Sequence, residues 1–226
     1  MPLKILIVTQ GVSRIVSPLF ESRHNVVGVL ESAPRGQVSG KFIAVVRYCL
    51  FTFAEVIFNV QQLSSYCKKR GVDYRLMRSN RDPGLISWIA GCNPDVIIVH
   101  SMSQLLKSDI YNIPRLGTIN LHPSFLPDYR GPSPEFWQYH DLELNPGATV
   151  HFIDDGEDTG AIIFQDRIKI SLGMKSPEVS QKLISDLGVS LILRALDKLE
   201  SGKPEVLVQP VVSPTQRARN IRNDEH

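Results

Sequence analysis

Apolar positions along this chain follow two rhythms. Nearly unbroken aliphatic runs occur at residues 4–9, 26–30, 72–77, 95–100 and 117–120. Runs without polar alternation are expected of strands covered on both faces, as in parallel sheets. Between them lie helix signals: 13–22; 42–58 continuing to Lys69, with Gly71 as the stop; 83–91, with Asp82 as cap and Pro83 in the first position; and a short 103–110. Residues 32–41, with Pro34, Gly36 and Gly40, read as a loop. This alternation predicts an α/β fold, a doubly wound and mostly parallel sheet with a Rossmann-like N-terminal half. In such a sheet right-handed crossovers place ligands at the carboxyl ends of the strands. Gln10 with Gly11, His100 with Ser101, and Asn120 with His122 all fall at such ends.

The second half continues with mixed strands at 148–153 and 162–170, separated by the acidic loop Asp154-Asp155-Gly156-Glu157-Asp158-Thr159-Gly160. A long C-terminal helix follows at 176–200. Its start signal is Ser176-Pro177-Glu178, and Val179, Leu183, Leu187, Leu191 and Ala195 recur at helical spacing. Residues 206–208 read as a last short strand. The expected organisation is one domain over 1–210 and a polar, basic tail over 211–226 with Arg217, Arg219 and Arg222.

Composition narrows the function classes. The 226 residues are 42% hydrophobic and 21% charged, enough for a core and ordinary for a globular chain. A net charge of +2 argues against a dedicated nucleic-acid binder. Cys49, Cys67 and Cys92 are widely spaced and form no CxxC pair, so reduced thiols are expected rather than a disulfide framework, and no metal site. Residues 1–8 are too short for a signal peptide. The apolar segment 42–58 carries Arg47 and Glu55 and is too short and too charged for a membrane span. It reads as a buried helix or as one giving a face to a partner, which leaves room for a homodimer. The expected location is cytoplasmic.

The stretch with the most chemistry is Asn120-Leu121-His122-Pro123-Ser124-Phe125-Leu126-Pro127-Asp128-Tyr129-Arg130-Gly131. In an extended segment residues two apart point to the same side, so Asn120 and His122 project into one space. The prolines and the glycine behind them predict a stiff loop. An imidazole made cationic by a nearby carboxylate, together with a carboxamide N–H, provides two donors suited to an oxyanion. A carboxylate of the acidic loop can accept a proton from an attacking amine, directly or through water. Such a set fits acyl-type transfer to an amine. On spacing alone, a structural role for the pair and a solvated turn for the acidic loop stay open.

Residues 120–131, followed in order by Asp154-x-Gly156-x-Asp158-Thr159-Gly160, resemble the folate-dependent formyltransferase family. Weaker resemblance extends from Lys4 to about Gln209. The resemblance implies a catalytic trio of Asn120, His122 and Asp158. His122, protonated and paired with Asp158, would stabilise the oxyanion with Asn120, and Asp158 would help take up the amine proton. It implies N10-formyltetrahydrofolate as cofactor, with the pterin held by backbone groups of Ser101, Met102, Ser103, Gln104, Leu105 and Leu106 and of Asp154, Asp155, Gly156 and Glu157. The acceptor is expected beside Gln10, Ser13 and Arg14 and the arm Tyr129, Arg130, Gly131 and Pro132.

The amine remains to be chosen. The turn after the first strand, Thr9 to Arg14, holds a single glycine, which disfavours glycinamide ribonucleotide as acceptor. The further C-terminal domain of the methionyl-tRNA enzymes is not expected in a chain of this length. A nucleotide-linked 4-amino-4,6-dideoxy sugar, such as those bound for lipopolysaccharide O-antigen, is the expected small-molecule partner. Hydroxyornithine, a glycinamide-type amine, a methionyl-tRNA formyltransferase-like protein without that domain, and a non-catalytic folate-binding module are the alternatives.

Overall fold

The computed structural model describes residues 1–33, 62–79, 81–82, 84–102, 104–202 and 204–211. The segment 42–58 with Cys49, and also Pro83, Ser103 and residues 212–226, lie outside the described residues.

A 7-stranded sheet organises the molecule: β1 (Lys4–Thr9), β2 (Asn25–Ser32), β3 (Asp73–Met77), β4 (Val96–His100), β5 (Thr118–His122), β6 (Gly147–Phe152) and β7 (Ile162–Arg167). Their order is β3-β2-β1-β4-β5-β6-β7. Strands β1 to β5 are mutually parallel, whereas β6 runs antiparallel to β5 and β7 antiparallel to β6. This is the α/β, doubly wound, mostly parallel sheet expected. Among the described residues the helices are α1 (Val16–Glu21), α2 (Leu63–Lys69), α3 (Leu85–Cys92), α4 (Ser108–Tyr111), α5 (Pro134–His140), α6 (Ser176–Ser180) and α7 (Val189–Ser201). A π-helical stretch, Gln181–Gly188, joins the last two into the long C-terminal helix.

The aliphatic runs explain why the sheet is covered on both faces. Ile5, Ile7, Val96 and Ile98 enter one core with the long C-terminal helix, α1 and α2. Leu6, Val8, Ile97 and Val99 enter a second core with α3 and α4. Each fully buried aliphatic of this kind contributes about 1.5–3 kcal/mol. On β5 the pattern breaks. Ile119 and Leu121 still feed the first core, but Thr118, Asn120 and His122 occupy the alternate positions.

Several boundaries differ from expectation. Residues 13–15 precede α1 in tight turns, with Ser13 N–H donating to Gly11 O and Val16 N–H to Ser13 O. Gln62 is extended (φ −71, ψ 142), so α2 starts afresh at Leu63 rather than continuing from 58; Gly71, at φ 66, ends it as expected. Asp82 does not cap α3 with its side chain, which instead pairs with Arg75 at 2.9 Å. Lys107 is extended, which confines α4 to Ser108–Tyr111 and leaves residues 104–107 as loop. Strand β5 runs on to His122 because the antiparallel β6 pairs His122 with Thr149. Residues 206–208 reduce to a single antiparallel bridge, Leu207 with Ile162.

Candidate active site

The site grows from the polar side of β5. Parallel and antiparallel registers place Asn120 beside Val99 and opposite His151, and His122 opposite Thr149. Cross-strand partners share a face, so Asn120, His122, Thr149 and His151 form a polar stripe at the carboxyl end of β5. The chain then turns. Ser124 Oγ donates to Asp128 O (2.7 Å), and Thr149 Oγ1 donates to Ser124 O (2.7 Å) while accepting from Leu126 N–H (3.1 Å). Gln138 on α5 donates to Pro123 O at 2.6 Å. These bonds satisfy loop polar groups that would otherwise be buried unpaired.

The acidic loop after β6 delivers Asp158. Asp154 Oδ1 accepts from Gly156 N–H (3.1 Å) and Thr159 Oγ1 (2.7 Å), which folds the loop on itself. Gly160 passes so close to Phe152 that a Cβ would lie 1.8 Å from the Phe152 carbonyl oxygen. Asp158 itself has φ 54, a left-handed conformation uncommon outside glycine and adopted mainly by Asn, Asp and His among the rest. Its Oδ2 accepts from Gly131 N–H at 2.9 Å and lies 3.4 Å from His122 Nδ1. Its Oδ1 accepts from Asn120 Nδ2 at 3.3 Å and lies 3.6 Å from His151 Nε2. Asn120, His122 and Asp158, expected to act together, are therefore assembled around one carboxylate.

Proton positions follow from the neighbours. His122 Nε2 stands 2.9 Å from Tyr129 O, a pure acceptor, so Nε2 carries a proton. His151 Nδ1 likewise donates to Phe152 O at 2.8 Å, which leaves its Nε2 to accept from Asn120 Nδ2 at 3.2 Å. Burial pushes the His122 imidazole below its ordinary value, and Asp158 offsets part of that. Burial alone would raise Asp158. His122, His151 and the Gly131 N–H outweigh it and hold the carboxyl well below the usual carboxylate range. On β4, His100 is buried, donates through Nδ1 to Leu121 O (3.2 Å), and is pushed down to about 4 by desolvation.

A cavity of about 1280 Å³ opens over these groups. One flank holds the β4 exit, Ser101, Met102, Gln104, Leu105 and Leu106, together with Asp154, Asp155, Gly156 and Glu157, all expected there. Leu106 also packs into the second core, whereas Leu105 is exposed. Tyr111 Oη donates to Asp155 Oδ1 at 2.6 Å, anchoring this flank. The other flank holds Gln10, Ser13, Arg14, Gly131 and Pro132, again as expected, and adds Glu135, Ser180 and Ile184. The last two come from the long helix, Ser180 at the end of α6 and Ile184 in the π-helical stretch. There Gly188 lets the helix approach β5: a Cβ at that position would lie 2.8 Å from the Leu121 side chain.

Two expected substrate contacts are corrected. Tyr129 and Arg130 do not line the cavity; both are buried behind it. Tyr129 Oη donates to Asp141 (3.3 Å), and Arg130 donates to Gln209 Oε1 from Nε (3.1 Å) and Nη2 (2.7 Å) and to Pro210 O (3.1 Å). The cause is the φ of 56 at Tyr129, which turns the arm inward so that only Gly131 and the residues after it reach the cavity. Sequence reasoning missed His151, whose only signal is its register opposite Asn120, and Gln209, far along the chain from the loop that it touches. Trp137 on α5 is buried against Phe136.

The geometry can hold a flat, hydrogen-bonding ligand between loop backbone and the apolar Met102, Leu106 and Ile153, with an imidazole–carboxylate pair at its end. Among the described residues no helix is long and apolar enough to cross a membrane. A family model described as formyl transferase matches residues 14–196. A methionyl-tRNA formyltransferase from Lachnospira eligens is 38% identical over 122 residues, 54% of this chain and 38% of its own length. The match spans about two fifths of the length of such relatives. Two solved structures share the fold. A formyltetrahydrofolate deformylase from Pseudomonas syringae has TM-score 0.68 at 18% identity, covering 93% of this chain and 67% of its own. A Mycobacterium tuberculosis protein proposed as a sugar N-formyltransferase has TM-score 0.64 at 21% identity, covering 98% of this chain and 76% of its own.

Proposed function

The chain belongs to the formyl transferase family, and from that premise we propose that it moves the formyl group of N10-formyltetrahydrofolate to the amine of a nucleotide-linked amino-deoxy sugar. The observation that carries formyl transfer is the convergence of Asn120, His122 and Asp158 on one carboxylate inside a cavity with two distinct flanks. The flank of Ser101 to Leu106 and Asp154 to Glu157 would hold the folate, with backbone groups for a pterin and apolar walls for its plane. When bound, that donor supplies the formyl carbon that the amine attacks.

The protein's own groups then do the following. Asp158, ionised at neutral pH, is a base for the amine proton, directly or through one water. His122 keeps Nε2–H on Tyr129 O, so Nδ1 is the nitrogen that can take the amine proton on from Asp158, and the carboxylate so restored, 3.4 Å away, stabilises the imidazolium. Once that proton is in place, the cationic ring favours developing negative charge beside it, and one Asn120 N–H, turned from His151 or Asp158 on binding, is a donor for it. The buried setting strengthens each of these interactions.

The acceptor side supports a small polar amine. Gln10, Ser13, Arg14, Glu135 and Ser180 offer donors and acceptors of both signs, suited to the hydroxyls and phosphates of a nucleotide sugar. A second reading is formyl transfer to methionyl-tRNA, favoured by the 38% identity to an enzyme of that name. Incubating the protein with N10-formyltetrahydrofolate and a panel of amines decides between them. Tetrahydrofolate release with formylation of a dTDP- or GDP-linked amino sugar, read by mass, is the expected result. Formylation of methionyl-tRNA alone selects the second reading, and no turnover with any amine removes both.

A further inference from the structure

The segment after the long helix returns to the site. Leu207 pairs with Ile162 through both main-chain bonds (2.8 and 2.9 Å), which carries the chain past β7 and buries Gln209 behind the acidic loop. Gln209 does not line the cavity. Its carboxamide is fully used. Oε1 accepts twice from Arg130, and Nε2 donates to Asp158 O at 3.1 Å and Gly160 O at 2.7 Å. A guanidinium can only donate and a main-chain carbonyl can only accept, so the amide has one permitted orientation. Among the described residues Arg130 makes no ion pair, and its guanidinium is committed to this amide and to Pro210 O.

We propose that Gln209, oriented by Arg130, is a positioning residue that holds the backbone of Asp158 so that its carboxylate meets His122. This rests on the role of Asp158 given above. The need for such a residue is visible in the loop. The left-handed φ of 54 at Asp158 is a sparsely populated conformation, which the hydrogen bonds around it help to hold. The bonds from Gly131 and Asn120 hold the carboxylate, whereas Gln209 holds the carbonyl of the same residue and that of Gly160. Gly160 cannot move toward β6, because even a Cβ there meets Phe152 O at 1.8 Å. The loop is thus pinned between β6 on one side and Gln209 on the other, with Asp158 at the pinned point.

Gln209→Glu is the discriminating variant. It keeps the shape and gains a charge partner for Arg130, but it replaces two N–H donations by an oxygen facing two carbonyls. A packing role would survive this change; a positioning role would not. The expected result for Gln209→Glu and Gln209→Ala is a fall in kcat of at least about 10-fold, with KM for donor and amine each within about 2-fold, since misplacing a reacting group by a fraction of an ångström costs turnover more than binding. In an Asp158→Asn background, Gln209→Glu should add less than about 2-fold. Wild-type kcat in Gln209→Glu, KM rises that match the fall in kcat, an undiminished effect in the Asp158→Asn background, or failure of both variants to fold would each overturn the proposal. If Asp158→Asn alone keeps full activity, the role of Asp158 falls, and this inference with it. An inactive Asp158→Asn beside an active Gln209→Glu sinks the inference only.

Discussion

The two halves of the trio are held in opposite ways. Asn120 and His122 stand on β5, inside a sheet whose ladder fixes both backbone positions and whose pleat aims both side chains to one face. Asp158 stands on a loop, in a left-handed conformation, and is held by hydrogen bonds from Gly131, Asn120 and Gln209. The strand-borne pair needs only local pattern to be placed. The loop-borne carboxylate needs three distant segments to agree. Strain is concentrated near the site: Ser101, Tyr129, Ser133 and Asp158 all have positive φ without being glycine, and all lie at or just behind the cavity. That is where over-determined backbone is expected to serve chemistry rather than stability.

The largest effect separates the halves by function. On the mechanism proposed, His122→Asn removes the ring that takes the proton, and Asp158→Asn removes the charge that stabilises it. Each is expected to lower kcat by about 100- to 10 000-fold, measured with N10-formyltetrahydrofolate and the accepted amine. If one variant keeps near-native turnover while the other does not, the trio is not a unit.

Acid tests which half yields first. His100, at the end of β4 and bonded to Leu121 O, has its folded value lowered to about 4 from an ordinary 6.5. Its contribution is therefore fully present above 6.5 and is lost as pH falls toward 4, about 3 kcal/mol in all by linkage. His24 and His122 shift in the same direction. Asp158, also depressed, loses its contribution only below the ordinary carboxylate range. Denaturant unfolding at pH 7 and pH 4.5 should show the strand-side loss, and His100→Gln should flatten it in part. An unchanged slope would show that another group governs acid sensitivity.

The smallest effect concerns the arm between the halves. Tyr129→Phe deletes the hydroxyl that donates to Asp141 at 3.3 Å and should cost about 1 kcal/mol of stability, read as a modest fall in melting temperature. No change at all would mean that this hydroxyl is solvated rather than structural.

The fold was legible because its signals are local. Aliphatic runs such as 95–100 mark a doubly covered strand without reference to anything else, and the spacing of Val179, Leu183, Leu187, Leu191 and Ala195 marks a helix face that is buried except at Leu187, half-buried within the π-helical stretch. Boundaries were less legible where a neighbour decided them. Strand β5 reaches His122 because β6 pairs with it. Residues 104–107 stay as loop, 104–106 lining the cavity, although their composition suits a helix. The arm at 129–130 misled because tyrosine and arginine in a polar loop suggest exposure. One left-handed φ and a buried glutamine turn both side chains inward.

By itself, then, the sequence determined the strands of the parallel half, the placing of Asn120 and His122 at a strand end, and the family resemblance that named Asp158 as their partner. Tertiary structure alone decided that His151 joins them, that burial works against a charge on His122, that Tyr129 and Arg130 pack behind the cavity, and that Gln209 reaches Asp158 from across the chain. The physical reason is range. Periodicity and turn chemistry act over a few residues, whereas register, desolvation and hydrogen-bond completion depend on segments that become neighbours only when the sheet has closed over its two cores.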